Sequence, residues 1–150
     1  MHELHLLLIF HLIGATIWVG GHIILSLIIL PQVWKEKALE KLFSFESKYE
    51  RIGLPALLIM VITGIRMSYI YTIRISNWFH FENPIERVVS LKLICLATIV
   101  LFALSAQFYV IPRLKTDHTK LPLMTFHIIA VTTISIIMLI LGSFVRYGGI

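Results

Sequence analysis

Three histidines stand inside apolar stretches of this chain, and imidazole suits metal ligation and proton transfer near neutral pH. His11 and His22 lie within Phe10 to Pro31, FHLIGATIWVGGHIILSLIILP, and His127 lies in a second such stretch. The eleven positions from His11 to His22 nearly complete three helical turns. Their rings therefore share one face, about 16 Å apart along the axis, with Ala15 and Trp18 between them. Ionisable groups inside a membrane usually face the bundle interior and act there. This face reads as the wall of a cofactor site, and haem b is the cofactor expected, because facing helices can supply His or His with Met as axial ligands.

Depth sorts the candidates. At ~1.5 Å per residue from mid-segment, His22 lies about 7 Å and His127 about 10 Å toward one side, and His11 about 9 Å toward the other. Lys92 is level with His11. Met138 follows His127 by eleven residues and shares its face. Two layers are expected: an inner one with His22 and His127, and an outer one where His11 meets Lys92, Met67 or Met138. One haem or two could be held. Gly14, Gly20, Gly21 and Gly64 would admit a flat macrocycle close to backbone, or serve plain helix packing. Arg66 and Lys92 either snorkel to headgroups or pair with haem propionates or an anionic substrate. At the outer surface, His2 and His5 are one turn apart. With His80, near Glu82 and Glu86, they are candidates for Cu²⁺ or Zn²⁺. His118, beside Asp117, reads as ordinary surface.

The elements that must position these groups are spanning helices. The chain of 150 residues is 58% hydrophobic and only 14% charged, with mean hydropathy +0.90, where soluble domains average roughly 25% charged. The expected fold is all-α, one integral membrane four-helix bundle over residues 1–150, with helices at 4–30, 52–75, 88–111 and 122–145. Lys35, Lys37, Lys41, Lys48, Arg51, Arg113, Lys115 and Lys120 mark one side as cytoplasmic. Both termini and the 74–87 loop then face outward, in a bacterial-type plasma membrane. The basic residues sit in connections, so the net charge of +5 reflects topology rather than nucleic-acid binding. No basic region precedes the first apolar run, so a cleaved signal peptide is not expected. Cys95 is a single, structural thiol.

The inner connection 32–51 is amphipathic: Trp34, Ala38, Leu42, Phe45 and Tyr49 recur at helical spacing. It is either an interfacial helix or an extension of helices 1 and 2. Trp78, Phe79 and Phe81 suggest an aromatic belt. Helices 1 and 3 end in LPQVWK and IPRLK, and helices 2 and 4 begin with GLPALL and KLPLMT. Pro31, Pro112, Pro55 and Pro122 thus gather at the inner face, at helix ends and first turns, as two duplicated hairpins would place them. HExxH, CxxC, phosphate-loop and GxSxG motifs are absent from the sequence, so zinc proteolysis, nucleotide chemistry and serine hydrolysis have no support.

Several short motifs carry a family resemblance. His11-x6-Trp18-x-Gly20 with Leu30-Pro31, Arg51-Ile52-Gly53-Leu54-Pro55 with Thr63-Gly64, and Leu91-Lys92-Leu93 to Ile111-Pro112-Arg113-Leu114 resemble two related groups. One is the CopD-type copper-resistance membrane domain, the other the HemJ-type protoporphyrinogen oxidase, a haem b protein. The likeness covers roughly three of the four helices. By it, His11 corresponds to the HemJ-type haem-binding histidine and Lys92 to that group's helix-3 lysine. His22 and His127 lie outside the HemJ pattern and bring the chain toward small four-helix dihaem b cytochromes.

The reading is therefore a haem-dependent membrane oxidoreductase using His11, His22, His127, Lys92, Arg66, Trp18 and Met138. Quinol-linked electron transfer is expected if both axial positions are filled, and O₂ or NO chemistry if one is open. The alternatives are CopD-like copper binding or transport through His2, His5, His80 and the buried His and Met, or HemJ-type oxidation. Lipid is the expected surround and a homo-oligomer the expected assembly.

Overall fold

The computed structural model describes residues 2–71 and 73–150; Thr72, inside the expected second helix, lies outside them. Among these residues the regular structure is helical. Helix α1 spans His2–Ile24, α2 Leu30–Glu36, α3 Leu39–Ile70, α4 Pro84–Ser105, α5 Ile111–Thr116 and α6 Leu121–Phe144. They compose four rods long and apolar enough to cross a membrane, His2–Glu36, Leu39–Ile70, Pro84–Thr116 and His118–Tyr147. This is a multi-pass, all-helical membrane protein.

The segment 39–51 is not a separate interfacial helix. It is the first 13 of the 32 residues of α3, so the second rod is longer than its apolar portion. Leu39 and Leu42 are buried and anchor this extension against α2 and α5. Pro55 consequently sits inside α3 rather than in a first turn as expected. At the other end α3 stops at Ile70, short of 75, where the Ile73 N–H reaches back five residues to the Ser68 carbonyl at 2.9 Å and leaves the four-residue pattern. Two residues, Lys37 and Ala38, join the first rod to the second, with Lys37 left-handed at φ 53°.

The LP and IP motifs have a structural counterpart. Single π-helical turns, Leu25–Ile29 and Ala106–Val110, precede Leu30-Pro31 and Ile111-Pro112. In each, the N–H before the proline reaches back five residues, Leu30 to Leu25 and Ile111 to Ala106. A proline ring crowds the carbonyl four residues earlier, and the wider turn relieves that contact. His11 and Lys92 each stand twenty residues before the proline of their own rod, so the two rods place them at equivalent positions.

Packing divides along the bundle. The basic end is closed by a core of Leu25, Leu30, Val33, Leu42, Val110, Leu114, Met124 and Ile128. Nearer the middle, Trp18, Val19, Ile99 and Val131 form a second cluster. Many large apolar side chains, Leu27, Leu58, Leu101 and Phe108 among them, remain exposed on the outside and face lipid. Helices α1 and α3 approach closely at Gly14, where an added Cβ would lie 2.9 Å from the Ala56 carbonyl oxygen and 2.8 Å from Met60 Cγ. Backbone cannot yield as a side-chain tip can. Gly14→Ala is therefore expected to cost about 1–3 kcal/mol. Gly20→Ala, whose Cβ meets nothing within 4 Å, should be neutral in the same thermal-melting measurement in detergent.

Candidate functional site

The end of the bundle that carries the termini is not filled. A cavity of about 960 Å³ opens there between α1, α3, α4 and α6. His11, Lys92, Met60, Met67 and Met138 line it, with His2 and His5 toward its mouth. The expected outer layer thus gathers around one space. The expected inner layer does not join it: neither His22 nor His127 is among the lining residues.

Local bonding fixes each buried ring. Thr63 Oγ1 lies 2.6 Å from the Ile59 carbonyl, to which it donates its single proton. It must therefore accept from His11 Nδ1, 2.9 Å away. The His11 Nδ1–H tautomer leaves the Nε2 lone pair available as a ligand. His22 follows the same rule, donating Nδ1–H to the Trp18 carbonyl at 2.9 Å. Tyr49 Oη donates to that same carbonyl at 2.8 Å, and its ring packs edge-on against the His22 ring with centroids 5.5 Å apart. The Tyr49 ring fills the notch that Gly21 leaves in α1. His127 donates Nδ1–H to the Leu123 carbonyl at 2.9 Å, and its Nε2 accepts from the Ser105 hydroxyl at 3.1 Å. Both nitrogens of His127 are thus satisfied, at 8% exposure.

His11 and His22 both face α3, His11 by its bond to Thr63 and His22 by packing on the Tyr49 ring. Their neighbours were missed, although hydroxyls in apolar helices are the usual partners of buried polar groups. Thr63, Ser105 and Tyr49 carried that signal. Trp18 is buried beneath the cavity, its Nε1 donating to Ser135 Oγ at 3.2 Å, and Ser135 is itself a lining residue. Arg66 neither snorkels alone nor enters the cavity; its Nε pairs with Glu3 Oε1 at 2.6 Å on an exposed surface.

The outer candidates separate. His80 is exposed in the loop before α4. Glu86 is 3% exposed and committed to a capping box, accepting from the Asn83 and Glu82 N–H groups at 3.3 and 3.2 Å and from Asn77 Nδ2 at 3.3 Å. Among the described residues no three of His, Cys, Asp or Glu come together as a metal-binding group. Trp78, expected in an aromatic belt, instead lines the cavity.

The residue pattern of the copper resistance protein D family matches residues 44–145, more than half of the chain. The chain belongs to that family. The match takes in Thr63, Lys92, His127 and Met138 and begins after His11 and His22. No curated protein and no solved structure matches the chain. Membership of the copper resistance protein D family turns attention from haem to copper, and makes the donor atoms around the cavity the first to weigh. His127 has no donor left to offer. Ser105→Ala would strip the partner from its Nε2 and is expected to cost about 1–3 kcal/mol, read as a lowered melting temperature. His127→Ala should leave any metal content unchanged.

Proposed function

We propose that this protein binds copper within the cavity at the terminal end of the bundle, as a step in copper handling at a bacterial-type plasma membrane. Family membership supports the copper; the observation that carries the site is His11, whose Nδ1 is tied to Thr63 at 2.9 Å and whose Nε2 stays free. Imidazole and thioether are both good copper donors, thioether above all for Cu(I). With no triad of His, Cys, Asp or Glu available among the described residues, the remaining donors are thioethers, and Met60, Met67 and Met138 line the same space. His2 and His5 at the mouth provide first capture. The basic residues of the opposite end direct this mouth outward. Copper is substrate here, met by His11 within a largely apolar chamber.

A second reading is favoured by size. The cavity, about 960 Å³, far exceeds an ion and could hold haem b. His11, with Met67, Met138 or Lys92, would hold it, and Gly64, where an added Cβ would lie 3.3 Å from His11 Cε1, would leave the imidazole room. Bound haem would supply one-electron or O₂ chemistry, with quinol or a diatomic gas as partner.

One preparation separates the two. Protein purified with copper and haem both supplied is expected to retain copper by elemental analysis and to show no Soret band. His11→Ala should lower copper affinity about tenfold or more, a loss of about 1.4 kcal/mol or more. Retained copper in that variant would refute the copper site, and a Soret band that His11→Ala abolishes would establish the haem reading instead.

A further inference from the structure

Two hydrogen-bond donors in the cavity have no acceptor. Trp78 Nε1 is buried and unpartnered. Lys92 makes no hydrogen bond or ion pair among the described residues; the three ion pairs found there, Lys41–Glu36, Arg66–Glu3 and Lys120–Asp117, all lie on exposed surface. The two donors belong to one neighbourhood. Both line the same cavity, and the Phe79 N–H bonds Ser90 Oγ at 3.1 Å, which ties the segment carrying Trp78 to α4, the helix that carries Lys92. Gly142 keeps the ammonium unobstructed, since even a Cβ there would lie 3.4 Å from Nζ.

A buried donor without an acceptor is disfavoured, and an ammonium away from water without a counter-charge much more so. Neither a copper ion nor a second cation corrects this, because both are positive. A neutral carbonyl would satisfy the hydrogen bond but leave the charge. An acid does both: a carboxylate offers two oxygens and about four lone-pair positions, enough for Lys92 and Trp78 together. Most of the rest of the wall is Leu, Ile, Val and Met, and the cavity's volume falls in the roughly 300–1,000 Å³ range of small-molecule sites. We propose that the cavity binds a long-chain carboxylic acid, its carboxylate held by Lys92 and Trp78 and its chain lying along the apolar wall.

This inference uses donors that the copper reading leaves idle, so the two stand or fall apart. The test is native mass spectrometry on metal-stripped, delipidated protein offered oleate, oleyl alcohol or acetate. Oleate should bind one per chain, and the alcohol and acetate about tenfold more weakly or worse. Lys92→Met should lower oleate affinity by about tenfold and Trp78→Phe by several-fold, while Lys92→Arg, which keeps the charge, retains it. Equal binding of oleate and oleyl alcohol, or full oleate binding by a folded Lys92→Met variant, would overturn the proposal. Oleate refused by protein that still takes up copper would overturn this inference alone.

Discussion

Inside a bilayer there is no water to satisfy a polar group, so each must find its partner within the protein. That constraint organises the interior of this bundle. The three imidazoles within the rods answer it in one way, each giving its Nδ1 proton to an oxygen of the protein: Thr63 Oγ1 for His11, the Trp18 carbonyl for His22, the Leu123 carbonyl for His127. What differs is the other nitrogen. Ser105 occupies it in His127, and His11 turns it toward open space. The same amino acid thus serves as structural bonding in one rod and as a free donor in another.

The same constraint gives the cavity its character. Elsewhere in the bundle, hydroxyls and carbonyls pair off: Ser26 with Thr132 at 2.6 Å, Trp18 with Ser135 at 3.2 Å. Only close-packed helices can do this, and the close packing is made by small residues, Gly14 against Ala56 and Gly21 against Tyr49. Toward the termini the bundle opens into the cavity, and Lys92 and Ser135 line that space.

Much of this was legible in the residues. Four rods followed from apolar length, and the grouping of His11, Lys92, Met67 and Met138 from depth along a helix, because rise per residue is nearly constant. Rotation about each axis was not legible. It decides whether His22 and His127 face a shared space, and they do not. Loop-borne groups escaped as well. Trp78 looked like a headgroup anchor because its neighbours Phe79 and Phe81 are aromatic, yet the tight turns around the capped start of α4 carry it inward. Glu86 looked like a metal ligand because a carboxylate near a histidine often is one, but a cap needs the same oxygens. Copper in place of haem rested on kinship, which a few apolar motifs suggest and donor chemistry alone does not decide.

The π-helical turns before Pro31 and Pro112 change how the two rods must be projected. Each wide turn advances the chain by fewer degrees per residue than its neighbours, so a helical wheel drawn from His11 slips out of phase by the time it reaches Trp34. Residues on either side of Leu25–Ile29 that look coplanar on paper point in different directions in space. Trp34 is accordingly free to bond Thr125 Oγ1 on α6 at 2.9 Å, while His11, on the same rod, addresses α3. The rod is thus stitched to α6 both before the wide turn, through Trp18, and after it, through Trp34.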